Sequence, residues 1–416
     1  MRESVEAKEV VCRYCRKSSP LEVILDLGLH PLSGVFPKTN DSDPISGPLR
    51  LVLCLDCQLV QLSHDFPLEM MYGENYGYES SLNGSMREHL VRKANFLQNK
   101  YLIGQKEVNV LDIGANDGTF IKEFLGNGHN CVAIDPTLVK LHARYEKTEK
   151  LKLIEGFFPS ALEQTQINLK FKIITSIAMF YDLPNPDEFV KSIALHLDKD
   201  GIWHTEQSYL YSMLDTNAFD TICHEHLEYY TFDFIEKLCK HNKLRIIDVS
   251  INKINGGSFA LTIAHEDSDH SVSPNVRWLR DYEEGRNLRS ELVQFADRVE
   301  KIKDNLHQLI DSIKKSGKVV WALGASTKGN TLLTYCDLDQ NMIDAVVDIN
   351  PYKYGRETPG TRIPIYSEDE FAKANPDYLL VLPWHFDASI TVRHTDYIEH
   401  GGTLIFPMPQ ILLIAD

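Results

Sequence analysis

Two stretches of the chain follow one plan, and that plan restricts the fold more than any other feature. In the first, "VNVLDIGANDGTF", Val108 to Ile113 reads as a buried strand, Gly114 to Gly118 as a tight turn and Phe120 to Leu125 as the start of a helix. A second strand, "NCVAIDP", then ends in Asp135. In the other stretch, "KVVWALGASTKGNTLL" gives a strand, a turn at Gly324 and a helix, and "AVVDINP" ends in Asp348. The glycine-to-aspartate separations are 21 and 24 residues. Alternating strands and helices imply a parallel, doubly wound α/β sheet, because a parallel neighbour is reached only by a crossover. Further strands are expected at 171–178 and 201–207, with a closing hairpin from "LRIIDVS" and "SFALTIAH".

A chain of 416 residues is too long for one ordinary domain. The composition shifts divide it into segments 1–80, 81–266 and 267–416. The first is rich in turn residues, as in "HPLSGVFPKTNDSDPISGP". The second opens on a helical pattern from Ser81 to about Leu102, with Met86, Leu90, Ala94 and Leu97 on one face. The third follows the polar linker "EDSDHSVSPN". There Leu288, Leu292, Phe295, Val299, Ile302, Leu306, Leu309 and Ile313 keep helical spacing. A long helix packed on neighbouring domains is favoured over a coiled coil.

Apolar residues make up 43% and charged residues 25%, as in soluble globular proteins. No apolar run is long enough to span a bilayer, and "MRESVEAKEVV" lacks the apolar core of a signal peptide. A cytoplasmic location is the default expectation, with no membrane partner. The net charge of −16 argues against a nucleic-acid partner, since phosphate backbones need a basic face. The chain is expected as a monomer or weak oligomer.

Four of the eight cysteines form two pairs, Cys12/Cys15 in "CRYC" and Cys54/Cys57 in "CLDC". Thiolates at i and i+3 can share one ion, so two such knuckles supply the four soft ligands of tetrahedral Zn2+. Four protein sulfurs leave no position for water, so the zinc is expected to be structural, in place of a core that a short loop-rich segment cannot form.

The turn in "VLDIGANDGTF" is not G-x-G-x-x-G. A strand ending in D-x-G-x-x-x-G, with an acid about 20 residues on, resembles the S-adenosylmethionine site of class I methyltransferases. Gly114 and Gly118 would admit the ligand to the backbone. Asp135 would accept from two ribose hydroxyls. Asp112 or Asp117 would face the sulfonium or the amino group, and Phe157 and Phe158 the adenine. Asn116, Phe120 and Pro136 complete the expected lining.

The densest polar run is "DTICHEHLEYY", Asp220 to Tyr230. It follows the strand "GIWHTEQ" and so lies near the carboxyl ends of the strands, where open α/β sheets bind ligands. Imidazole and carboxylate can hold a metal, but H-E-x-x-H is absent. A hydrogen-bonded loop is the plainest reading. Acid–base catalysis is favoured by the location and the density of ionisable groups. In the third segment, "LGASTKGNTLL" and "NPYKYGRETPGTRIPI" place Lys328, Lys353, Arg356 and Arg362 where a pyrophosphate could be held, although the spacing is not that of a Walker loop.

The ordered set "CRYC…CLDC", "YGYESS", "LDIGANDGTF", "FDTICHEHLEYY", "INGGS", "GASTKGNTLL" and "PGTRIPI" resembles the sugar C-methyltransferases of nucleotide-linked deoxysugars, over nearly the whole chain. That resemblance implies a zinc domain, a central class I methyltransferase domain and a C-terminal Rossmann-like α/β domain. It places the general base on the second histidine of H-E-H, His226, with Glu225 beside it, and His224 and Tyr230 in the same loop. A tyrosine of the family falls on Cys223, for which Tyr181, Tyr229 or Tyr230 would have to substitute. It brings Tyr76, Tyr78 and Ser81 to the sugar, and Ser326, Lys328, Asn330, Lys353 and Arg362 to a nucleotide-diphosphate sugar. The implied reaction removes the hydrogen at C3 of a 4-keto-6-deoxysugar and methylates the enolate. The alternative is O- or N-methylation of another small molecule.

Overall fold

The computed structural model describes residues 8–17, 21–72, 79–165, 167 and 169–416. Tyr76 and Tyr78 lie outside the described residues. The principal N-terminal strands are β1 (Leu21–Pro31), β2 (Ser46–Cys54) and β3 (Val60–Leu62), an antiparallel meander. Each cysteine pair sits at an end of it, Cys54 closing β2 and Cys57 in the turn toward β3.

The middle segment opens on α1 (Gly84–Tyr101), which begins three residues later than the pattern suggests. Asn83 explains the offset. Its side chain accepts from the Ser85 and Met86 amides as the N-cap, while Ser80–Leu82 form a separate single turn whose Ser81 amide is held by Asp117. The segment continues through β4 (Asn109–Ile113), α2 (Ile121–Gly126), β5 (Asn130–Asp135), β6 (Leu151–Glu155), β7 (Phe171–Ile177), β8 (Leu197–Ser208), β9 (Glu228–Tyr229), α3 (Phe232–His241), β10 (Leu244–Asn252) and β11 (Ser258–His265). Seven strands form one sheet in the order β10-β11-β8-β7-β4-β5-β6. All neighbours are parallel except β11, which runs antiparallel to both β8 and β10. The order reverses between β4 and β7, so a crevice opens at the carboxyl ends of those two strands. This is a class I methyltransferase sheet. β9 is the exception in the segment: it pairs antiparallel with β3 and extends the N-terminal sheet to the order β9-β3-β2-β1.

The last segment holds α4 (Leu288–Lys315), β12 (Val320–Leu323), α5 (Thr327–Tyr335), β13 (Ala345–Val347), β14 (Ile365–Tyr366), β15 (Tyr378–Val381), β16 (Thr403–Phe406) and β17 (Leu412–Ile414). Its six-stranded sheet has the order β14-β13-β12-β15-β16-β17, parallel but for the last pair. The helix α4 runs for 28 residues and buries Leu288, Leu292, Phe295, Val299, Ile302, Leu306, Ile310 and Ile313. It packs on β1, on the helix Leu210–Thr216 and on β12, one element from each segment. Its apolar face is therefore covered within the chain, and no coiled-coil partner is needed. Leu309 is only partly buried, because Ile310 takes the inward position beside it.

One apolar core runs through all three segments, from Leu25 and Leu51 through Ile174 and Trp203 to Val346 and Leu380. A second lies on the other face of the seven-stranded sheet, where Leu90, Ala94 and Leu97 of α1 cover Val110, Ile173 and Ile202.

Candidate active site

The four cysteine sulfurs lie within 4.8 Å of one another, with Cys12 Sγ 3.4 Å from Cys57 Sγ and Cys15 Sγ 3.7 Å from Cys54 Sγ. That is the donor set and spacing a zinc ion takes as four thiolates, with no fifth group needed. The knuckle also reaches the loop that carries His226. Arg13, between the first two cysteines, is 1% exposed. Its Nη1 donates to the Leu62 carbonyl at 2.6 Å and lies 3.5 Å from the Leu227 carbonyl. Its Nε stands 3.8 Å from the buried Glu228 carboxylate.

The turn after β4 builds the donor side. Gly114 has φ +75°, and a Cβ there would come within 2.9 Å of Met179 Cγ. Gly118 has φ +78°, and its Cβ would lie 2.4 Å from the Tyr145 ring. Gly118 thus serves packing, and it does not line the cavity described below. Asp117 does not line it either. Its carboxylate accepts from the Ser81 amide at 2.8 Å and from the Thr119 amide and hydroxyl, so Ser81 is spent on fixing this turn. Asp135 does line the cavity, yet it accepts from the Asn116 amide at 2.8 Å and the Thr137 amide at 2.6 Å. Ribose hydroxyls would therefore share its remaining lone pairs. Asp112 is buried, accepts from Thr175 Oγ1 at 2.7 Å, and is pushed up to about 7, chiefly by burial. Asn116, Phe120, Pro136, Phe157 and Phe158 all face the same cavity. Backbone amides, carboxylates and aromatic rings around an open glycine turn are what a nucleoside-bearing methyl donor needs.

The H-E-H residues diverge. His226 Nδ1 lies 2.8 Å from the Thr221 carbonyl. A carbonyl only accepts, so Nδ1 carries the proton and the Nε2 lone pair is left as a base. Burial, then the charge of Lys328, pull His226 down to about 3. Tyr181 packs edge-on against it at 4.4 Å, and both line the cavity. Glu225 is not the partner that orients His226; the Thr221 carbonyl is. The Glu225 carboxyl lines the cavity, is raised by burial, and has no hydrogen-bond partner for Oε2 among the described residues. Cys223 lines the cavity too, its thiol pushed well up by burial.

His224 and Tyr230 leave the site. The loop turns at His224 and Glu225, where the His226 amide donates to the Cys223 carbonyl at 3.1 Å, and His224 points toward the N-terminal sheet, packing edge-on against Phe66 at 4.7 Å. Tyr230 is fully buried between Phe180 and Phe234, stacked on both at 5.1 and 5.5 Å. Tyr229 donates to the Thr221 carbonyl at 3.4 Å from the core. Of the three tyrosines considered for the Cys223 position, only Tyr181 faces the cavity.

The cavity measures about 630 Å³ and draws on all three segments. Gly34, Val35, Phe36 and Tyr72 come from the first, and Ser326, Lys328, Asp348, Lys353, Arg356 and His385 from the last. The turn after β12 copies the one after β4: Asp348 accepts from the Ala325 and Asn350 amides, both at 2.8 Å, as Asp135 does from Asn116 and Thr137. Lys353 Nζ donates to the Ala325 carbonyl at 2.6 Å and Asp348 at 3.2 Å. Two expected residues turn elsewhere. Asn330 is buried and donates to the Ser33 carbonyl at 2.7 Å, tying α5 to the first segment. Arg362 pairs with Glu357 at 2.7 Å and Asp43 at 3.3 Å. His385, Met179 and Asp182 were not singled out from the sequence. They follow strands β15 and β7 at their carboxyl ends, and that position was the available signal.

Three family models match successive parts of the chain: a zinc binding domain at 12–72, a methyltransferase domain at 82–249 and a C-methyltransferase C-terminal domain at 253–409. The chain belongs to the C-methyltransferase family. A relative, the C-methyltransferase NovU of Streptomyces niveus, is 29% identical over 97% of this chain and 96% of that protein. Solved methyltransferase structures each match about half of this chain. The 1,6-didemethyltoxoflavin-N1-methyltransferase of Burkholderia thailandensis, with S-adenosylhomocysteine bound, is 15% identical, covers 51% of this chain and 98% of its own, and has a TM-score of 0.34. The magnesium protoporphyrin IX methyltransferase of Synechocystis, also with S-adenosylhomocysteine, is 10% identical, covers 46% of this chain and 90% of its own, and has a TM-score of 0.35. This C-methyltransferase is thus an S-adenosylmethionine-dependent enzyme with a zinc-binding domain and a small-molecule substrate. No helix of its described residues is long and apolar enough to cross a membrane.

Proposed function

We propose that the enzyme transfers a methyl group to C3 of a nucleotide-linked 4-keto-6-deoxysugar, with His226 as the general base. The observation that carries this reading is the tautomer of His226. Its Nδ1–H is tied to the Thr221 carbonyl, so the basic Nε2 belongs to a side chain that lines the cavity shared with the donor turn. A C–H bond beside a ketone is acidic enough for a neutral imidazole to take its proton when the groups are held in line. The methyl donor supplies an electrophilic methyl group when bound. Asp112, Gly114, Asn116, Asp135 and Phe157 would hold it. The Glu225 carboxyl, raised by burial, would hydrogen-bond a sugar hydroxyl.

The nucleotide diphosphate is assigned to the C-terminal segment, where Ser326, Lys353 and Arg356 line the same cavity on an otherwise acidic protein. This makes 1–80 the zinc-binding domain, 81–266 the methyltransferase domain and 267–416 the nucleotide-sugar domain. A cytoplasmic place in deoxysugar biosynthesis follows, because nucleotide sugars are made there. Cys223 favours one second reading, methylation of an oxygen or nitrogen. A buried thiol replaces the family tyrosine and can neither donate strongly nor orient a sugar. His226→Asn tests the assignment of the base. Methyl transfer should fall by about 10³-fold while calorimetric binding of S-adenosylmethionine stays unchanged; unaltered turnover would sink it.

A further inference from the structure

One cation lines the same cavity wall as His226 and bears on its imidazole: Lys328. It sits in the first turn of α5, half-buried, on the cavity wall with Cys223, His226 and His385. Its Nζ donates to the carbonyl of Asn255, at the tip of the β10–β11 hairpin, at 2.7 Å. Among the described residues that is its one hydrogen bond. The counter-charge is Asp220, buried, with Oδ2 taken by the Trp384 indole at 2.9 Å. The lysine is therefore held by the hairpin of the methyltransferase sheet and by its own helix, while Asp220 acts on it through charge and not through contact. An ammonium has three protons, and the carbonyl takes one. Its field is felt at His226, Cys223 and His385, all on the cavity wall. Lys353 and Arg356 are engaged elsewhere, with Asp348 and the Ala325 carbonyl, and with the Phe36 carbonyl at 2.9 Å.

We propose that Lys328 is a catalytic residue: its ammonium stabilises the oxyanion that forms when His226 removes the proton beside the substrate carbonyl. The proposal rests on the ketone reading above. The step balances without another reactant. The C–H bond breaks and its proton goes to Nε2 of His226. The bonding pair becomes the C=C bond, and the carbonyl π pair moves onto oxygen, which becomes an enolate paired with Lys328. The attraction of a fixed cation for the carbonyl oxygen strengthens as the negative charge develops there, which is how such groups accelerate enolisation. It also explains why the charge lies beside a base whose proton affinity it lowers.

The test is solvent deuterium exchange at C3 of dTDP-4-keto-6-deoxyglucose and its UDP, GDP and CDP counterparts, with S-adenosylhomocysteine in place of the donor. Lys328→Met should lower the exchange rate at saturating ketone by about 10²-fold, and Lys328→Arg should restore part of it. Calorimetric donor binding checks that each variant is folded, and Lys328→Gln replaces Lys328→Met if that variant fails the check. If the variants raise only the ketone concentration needed for half-saturation, with exchange at saturation unchanged, Lys328 is an anchor and the proposal is overturned. If the unaltered enzyme exchanges none of the four, the ketone reading fails first and takes the lysine's role with it.

Discussion

At the scale of single residues, the site is organised by what holds His226. A backbone carbonyl fixes its tautomer without a carboxylate partner, and Glu225 faces the cavity instead. Burial and the charge of Lys328 hold His226 at about 3, so it is deprotonated throughout the neutral range. The acid limb of kcat/KM governed by this group should lie well below the ordinary histidine value of about 6.5. Removing the cation in Lys328→Met should move that limb upward, because the imidazolium then loses a repulsive neighbour. A limb near 6.5 in the unaltered enzyme, unmoved by the substitution, would contradict this electrostatic account. Much of this was legible in "DTICHEHLEYY": a polar run after a sheet strand marks a site. What the run could not reveal is which way each side chain points. His224 and His226 are two apart, and the bend between them sends one to Phe66 and the other to the cavity. Cys223 and Tyr230 are both buried, but only the cysteine reaches the cavity.

At the scale of elements, the loop that carries His226 belongs to two sheets. It leaves the seven-stranded sheet after β8 and ends as β9, paired with β3 of the zinc-binding sheet. The Leu62 amide donates to the Leu227 carbonyl at 2.9 Å, and Leu227 in turn donates to the Tyr181 carbonyl at 2.8 Å. Arg13 joins this seam to the cysteine knuckle. Zinc therefore does more than replace a missing core, since the strand that follows His226 hangs on the sheet it staples. Stripping zinc with a chelator, or Cys54→Ser, should abolish methyl transfer while calorimetric binding of the donor is retained. Retained turnover after metal loss, checked by metal analysis, would count against the coupling. This seam was invisible in the sequence, because a two-residue strand whose partner lies far away in the chain has no local signature. The glycine turn was legible, but the purpose of Gly118 was not. Its Cβ would strike Tyr145, so Gly118→Ala should destabilise the protein by about 1–3 kcal/mol, read as a lower Tm. A neutral result would return Gly118 to a role in ligand approach.

At the scale of the whole molecule, one cavity is walled by three segments and braced by one long helix that touches each of them. The two α/β units repeat a detail as well as a plan: each acid at the end of the second strand accepts from the turn after the first. The paired turns face the same space, one suited to a methyl donor and the other proposed above to take the nucleotide-linked acceptor. Sequence spacing made both units and the cysteine knuckle readable, since these depend on local order. The shared cavity depends on packing between distant segments, and there the reading placed Asn330 and Arg362 in a site that they instead help to frame.

The central claim is that carbon, beside a ketone, receives the methyl group. The direct measurement is NMR of the product formed from dTDP-4-keto-6-deoxyglucose and a donor carrying a 13C-labelled methyl. The account predicts a labelled methyl bonded to C3, coupled to the C4 carbonyl carbon, with the original C3 hydrogen lost to solvent. A labelled methyl found on oxygen or nitrogen, with the C3 hydrogen retained, would contradict it.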